Sequence, residues 1–166
     1  MLRLRPYKKS DAQIIAGWHK NERDFRKWCS DQYKSYPVTA DDINSYYDSK
    51  LNSEFFEMTA FDESGVVGHL TMRFTDEEKT VLRFGFVIVD SAKRGMGYGA
   101  EMLKLALDFA FNIVKAQKVT LGIFENNPAA HNCYKSVGFC DVLQETQKHY
   151  NFYGEDWVIR EMEIKK

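Results

Sequence analysis

Three glycines spaced two apart, Gly95, Gly97 and Gly99, stand between the β-branched run Val87-Ile88-Val89 and a long amphipathic stretch that starts near Ala100. Few folds tolerate that junction. A strand that stops, a glycine-rich turn and a helix that begins there bring free backbone N–H groups and the positive end of a helix dipole to one point. The glycines let a ligand's phosphates approach the main chain closely. The stretch predicts an anion site, and its surroundings decide which anion.

The chain on either side fixes the fold class. Alternation of apolar and charged residues from Leu2 to Tyr7 predicts a short first strand. Ser10-Asp11 reads as an N-cap for a helix over 12–20, with Ile14, Ile15 and Trp18 at helical spacing. Phe25, Trp28 and Cys29 suggest a further helical turn, and Thr39 opens a helix to Leu51. These aromatic-rich helices read equally as core packing or as the wall of a substrate pocket. The period then changes to two. Strands are predicted over 55–61, 66–74 and 80–89, joined by polar turns, which makes an antiparallel meander.

After the glycine turn a helix over 97–114 carries a broad apolar face, and a strand follows over 119–124. A helix separates that strand from the one before the turn, so the two are expected to run parallel. Asn127 at N-cap and Pro128 at N1 open another helix, which Gly138 ends. Strands over 139–145 and 157–164 close the chain around a polar, tyrosine-bearing segment. The expectation is an α+β domain spanning 1–166: a mostly antiparallel mixed sheet of about seven strands, flanked by helices and splayed at one parallel junction. Ligands commonly bind where sheet connectivity changes in this way.

Composition excludes several classes. The formal net charge of -1 provides no field for nucleic acid or an anionic membrane. No run approaches the ~18–20 apolar residues of a membrane span. Cys29, Cys133 and Cys140 lack metal-site spacing and read as free thiols of a cytoplasmic protein, and no metal is expected. His131 and His149 read as surface or packing residues.

Three phosphate-binding patterns compete for the turn. A Walker loop needs a lysine followed by Ser or Thr, which is missing. The dinucleotide pattern G-x-G-x-x-[GA] matches formally. It calls for the first βαβ unit of a doubly wound sheet and an acidic residue about 20 positions on. An antiparallel meander precedes the turn instead, and the following helix is still apolar at that distance. Counting Arg94 yields the third, Arg94-x-x-Gly97-x-Gly99, which resembles the [QR]-x-x-G-x-[GA] motif of the GNAT (GCN5-related N-acetyltransferase) superfamily. A second block, from Asn127 through Tyr134 to Gly138-Phe139, is similar to that family's N-x-x-A-x-x-x-Y-x-x-x-G-F pattern. The resemblance covers nearly the whole chain, with a RimJ/RimL-like (ribosomal-protein acetyltransferase-like) flavour.

The resemblance implies an acetyl-CoA-dependent N-acetyltransferase acting on a small-molecule amine or a protein N-terminal amine by direct attack. Val87, Ile88 and Val89 would bond the pantetheine amides as another strand would. The main chain of Arg94, Gly95, Met96, Gly97, Tyr98 and Gly99 would cradle the pyrophosphate, with Arg94 and Lys93 adding charge. Asn127 would contact the cofactor arm, with a plain N-cap as its other reading. Tyr134 would protonate the leaving thiolate. The chain departs from the family in its carboxylates. Leu82-Arg83-Phe84-Gly85-Phe86 carries none, and Gly122 stands where a glutamate is usual. Glu57, Asp76, Glu77 and Glu125 are the remaining candidates, and Arg83 reads as solvent-facing or as a site for an acidic acceptor group. The missing base leaves a non-catalytic acyl-CoA-binding module as the alternative. The acceptor and the oligomeric state, a homodimer included, are not written in the sequence.

Overall fold

Alternation along the strands builds an eight-stranded sheet, and a computed structural model describes it over residues Met1–Lys166. The strands are β1 (Arg3–Pro6), β2 (Phe55–Asp62), β3 (Gly65–Phe74), β4 (Val81–Val89), β5 (Lys118–Phe124), β6 (Cys140–Asp141), β7 (Lys148–Phe152) and β8 (Glu155–Lys165). The helices are α1 (Ala12–Ala16), α2 (Glu22–Cys29), α3 (Ala40–Asp48), α4 (Tyr98–Asp108) and α5 (Pro128–Ser136). The sheet order is β1-β2-β3-β4-β5-β8-β6, with β7 also paired to β8. Every neighbouring pair is antiparallel except β4 and β5. No helix is long and apolar enough to cross a membrane.

Each face of the sheet buries a different set of side chains. On one face Leu70, Met72, Leu82, Phe84, Val119 and Leu121 join Met102, Leu103 and Ala106 of α4 in a core of mostly aliphatic groups. On the other face α1 to α3 pack Ile15, Phe25, Ile43 and Tyr47 over Ile88, joined by Tyr33 from the segment between α2 and α3. The 12–51 region therefore does form a core, and an aromatic one.

Several local expectations change. Asp11 does not cap α1. Its carboxylate accepts two bonds from Arg5 at 2.7 and 2.9 Å, one from the Lys8 N–H at 3.0 Å and one from the Thr59 hydroxyl at 2.9 Å. Burial pushes this carboxyl upward, but those donors outweigh it and hold it below the ordinary range. It locks the corner between β1 and α1, and α1 ends early, at Ala16. The predicted helix turn at Phe25 is the full helix α2, capped by the Asn21 side chain, which accepts from the Asp24 N–H at 2.8 Å. The helix after the glycine turn closes in a π-helical turn over Phe109–Ile113.

The predicted strand over 139–145 shrinks to Cys140–Asp141, and the tyrosine-bearing segment is a strand, β7. Both changes have one cause. β6 pairs with Glu163 and Met162 of β8, whereas β7 pairs with Ile159 to Glu155 further along the same edge. One edge cannot serve both over the same residues, so β6 stops where β7 takes over. The β7–β8 hairpin turns through Tyr153 and Gly154, both left-handed at φ 59° and 73°.

Candidate active site

The parallel junction opens the site. β4 and β5 pair only over Val81–Lys118, Leu82–Val119 and Arg83–Thr120. Beyond Arg83 the strands part, and a cleft of about 590 Å³ lies between Phe84–Val89 on one side and Leu121–Ile123 on the other. The β4 main chain facing it has no strand partner on that side, so its N–H and C=O groups must be met by water or a ligand.

A β-bulge sits midway along that open edge. Thr71 pairs with Gly85 and His69 with Ile88, so Phe86 and Val87 together oppose Leu70. Phe86 is held at φ 47°, a left-handed conformation that a bulky side chain adopts only under constraint. Trp28 of α2 donates its Nε1–H to the Phe86 carbonyl at 3.0 Å and lines the cleft.

At one end of the cleft lies the glycine turn. Gly95 and Gly97 are left-handed at φ 80° and 88°, and an added Cβ would touch nothing at either. These glycines answer a conformational demand. Gly97 is the N-cap of α4, and the first helical bond runs from the Glu101 N–H to the Gly97 carbonyl at 3.1 Å. The N–H groups of Tyr98, Gly99 and Ala100 remain for a ligand. Arg94 is already engaged: its Nη1 lies 3.0 and 3.2 Å from the Asp24 carboxylate of α2. Its Nε also donates to the Val89 carbonyl at 3.3 Å.

Among the residues the sequence singled out, Val87, Ile88, Val89, Arg94, Gly95, Gly97, Gly99, Asn127 and Tyr134 all line the cleft. Met96 and Tyr98 do not. Met96 is 68% exposed, and Tyr98 turns away to donate its hydroxyl to Asp62 at 2.8 Å. Lys93 also leaves the cradle, toward Ser64 and the Tyr98 ring, with Asp62 4.0 Å away. Asn127 is an N-cap, accepting from the Ala130 N–H at 3.4 Å, and lines the cleft as well. Tyr134 is buried on α5 against Phe139, ring centroids 6.1 Å apart. Burial raises its phenol well above the ordinary value, with the neighbouring Cys133 adding to it, so Tyr134 carries its proton at neutral pH.

Sequence reasoning missed Asp24 and Lys27, and placed Trp28 only within an aromatic helix pair read equally as core or pocket wall; all three project from α2 into the same cleft. Their spacing of three and four marks one helix face, but only the fold shows what that face covers. It also missed Glu161. Arg83 is neither solvent-facing nor free: it binds Glu161 of β8 through both nitrogens at 2.7 and 2.9 Å. Glu161 is the register partner of Gly122. A Cβ at Gly122 would lie 2.7 Å from Arg83 Nη2 and 3.2 Å from Glu161 Oε1. The glycine leaves room for an ion pair at the throat of the cleft.

The carboxylates offered by the sequence separate clearly. Asp76 is spent on the Thr80 and Val81 N–H groups, and Glu125 on Arg160 at 3.1 Å. Glu77 is exposed on a turn. Glu57 is half-buried on β2, and burial raises its carboxyl above the usual range. No group of three or more potential ligands is placed to hold a metal.

The chain matches the family model described as the acetyltransferase (GNAT) family over residues 18–139. It is 22% identical over 140 residues to a spermidine N(1)-acetyltransferase of Vibrio cholerae serotype O1, covering 84% of this chain and 79% of that protein. It is 20% identical to the spermidine N(1)-acetyltransferase of Escherichia coli K12, covering 83% of this chain and 72% of that one. Its fold superposes on a Vibrio cholerae spermidine N-acetyltransferase solved with CoA and spermine, at a TM-score of 0.82 and 20% identity. That match covers 99% of this chain and 95% of the other. A putative phosphinothricin N-acetyltransferase matches at a TM-score of 0.78 and 19% identity, covering 99% and 98%.

Proposed function

The chain belongs to the acetyltransferase (GNAT) family, and we propose that it acetylates a primary amine of a small polyamine, binding the acetyl-CoA donor along the β4 edge of the cleft. The observation that carries this reading is the convergence of three parts on one groove. These are the unpaired β4 edge, the N-terminus of α4 and the protonated Tyr134. The residues fit acetyl-CoA: leftover N–H groups suit a pyrophosphate, and an unpaired strand edge suits the amides of an extended arm. Bound there, acetyl-CoA supplies a thioester as the acyl source.

The chain's own residues would do the following. The main chain of Gly95 to Gly99 holds negative charge at the helix N-terminus. Val87 and Val89 orient the arm. Tyr134 keeps its proton at the phenol Oη and delivers it to the departing sulfur. Glu57 is half-buried and burial raises its carboxyl, but it is not among the residues lining the cleft, so no carboxylate is assigned as the base.

The relatives support a small amine over the RimJ/RimL-like acceptor, since the two bacterial relatives described above are spermidine N(1)-acetyltransferases. Thiol release with spermidine, spermine, amino acids and peptide α-amines tests the acceptor. Turnover confined to peptide α-amines would reject the polyamine reading. Tyr134→Phe should lower kcat about a hundred-fold with CoA affinity within about two-fold. CoA binding without turnover on any amine would instead favour an acyl-CoA-binding module.

A further inference from the structure

We infer that Trp28 is a positioning residue for the donor site, whose indole N–H sets the peptide plane between Phe86 and Val87. The inference rests on the donor-cleft reading and adds a residue that the motifs do not contain.

Phe86 C=O and Val87 N–H belong to the same planar peptide, so fixing one direction fixes the other. The Trp28 Nε1–H holds that carbonyl at 3.0 Å from 58 residues away in the chain. The plane needs holding, because it lies in a bulge where Phe86 is left-handed and the β3 ladder skips a step. On the other side β5 has already departed, so no strand there constrains it.

Trp28 is itself fixed. Its ring stacks on Tyr33 at 5.6 Å and 5°, and lies 4.6 Å from His19 and 5.2 Å from the Phe86 ring. His19 is buried, and burial pulls its imidazole down to about 4, so it packs against the indole as a neutral ring. α2 is pinned at its other end by the Asp24–Arg94 pair. The helix thus spans the cleft from the glycine turn to the bulge. A rigid aromatic stack delivers one donor to the one peptide of β4 that its own ladder does not define. A bare packing role would need the ring but not the nitrogen.

The test separates ring from nitrogen. Trp28→Phe keeps an aromatic ring and deletes the donor. Site-specific benzothienylalanine at position 28 keeps the bicyclic shape and replaces N–H by sulfur. Both should lower kcat/KM for acetyl-CoA, with spermidine as acceptor, by about five- to ten-fold, the size of one hydrogen bond. Melting temperature of the benzothienylalanine protein should stay within about 3 °C of the parent. A readout independent of turnover is the Trp28 indole N–H resonance, assigned by its loss in Trp28→Phe. It should shift when acetyl-CoA is added. Calorimetric affinity for acetyl-CoA should weaken in the benzothienylalanine protein. Unchanged affinity and kcat/KM in that protein would overturn the inference, as would a loss explained wholly by a fall in melting temperature. If the parent protein itself binds no acetyl-CoA, the donor-cleft reading fails, and the inference fails with it.

Discussion

The two faces of the sheet are made of different material, and the difference divides the labour of the site. The α4–α5 face is mostly aliphatic: Leu70, Met72, Leu82, Leu103 and Leu121 interlock around a few rings such as Phe84 and Phe139, with almost no polar atoms to satisfy. The α1–α3 face is built from Tyr7, Tyr33, Tyr46, Tyr47, Trp28 and Phe86, with His19 and His69 buried among them. An aliphatic core holds the glycine turn and Tyr134 in register without competing for hydrogen bonds. The aromatic face must place hydroxyls, imidazoles and an indole, so its shape depends on directional contacts. The N-terminus of α4 and Tyr134 stand on the aliphatic side of the cleft, and the aromatic side reaches the cleft through α2.

The largest expected effect lies on the aliphatic face. Phe139 is 2% exposed, with Phe84 and Tyr134 rings at 6.3 and 6.1 Å. Phe139→Ala should cost about 3–5 kcal/mol in denaturant unfolding, since the cavity is ringed by groups that cannot relax into it. It should also loosen Tyr134. A cost near 1 kcal/mol or less would show that this face is as adaptable as the other, and the comparison would break.

Next in size is the pH response of the aromatic face. His69 is fully buried with Nε2 2.6 Å from the Tyr47 hydroxyl, and burial pulls its pKa down to about 3 from 6.5. The unfolded chain therefore takes up a proton near pH 6.5 that the folded protein refuses. Stability from this group is fully present above about pH 6.5. It declines as pH falls toward 3, with a limiting slope of about 1.4 kcal/mol per pH unit. Unfolding free energy measured from pH 7 to 4 should fall accordingly, and His69→Gln, which keeps a hydrogen-bonding side chain but does not titrate, should flatten the slope. An unchanged slope would place the acid sensitivity on His19, which burial also pulls down to about 4, or on carboxylates such as Asp11.

The same division explains what could be read from the sequence. Gly95, Gly97 and Asn127-Pro128 were legible because each answers a local backbone demand, a left-handed φ or a helix start. The parallel junction followed from a helix intervening between two strands. Asp24 and Lys27 were not legible, because nothing local distinguishes them from a solvated helix face; Trp28 was read only as one of an aromatic set that could be core or pocket wall, and its hydrogen bond needed the fold. Trp28 meets Phe86 across 58 residues. The Arg83–Glu161 pair depends on the β5–β8 register, which places Glu161 beside Gly122. The second hairpin was hidden by its turn, where Tyr153 takes a left-handed position usually signalled by Asn, Asp or Gly.

The smallest effect concerns the contact that joins the two faces. Asp24 neutralises Arg94 at 3.0 Å, so an incoming pyrophosphate meets an arginine already paired with a carboxylate. Asp24→Asn removes that negative charge and releases Arg94. KM for acetyl-CoA should fall about two- to five-fold at low salt, and the gain should shrink as ionic strength rises, because the groups are partly solvated. The cost to α2 is an acidic residue in its first turn, worth a few tenths of a kcal/mol. If KM rises instead, Asp24 is holding Arg94 in the orientation that donor binding needs. α2 and the glycine turn would then work as one unit, with the aromatic face helping to build the donor site at both ends of the helix.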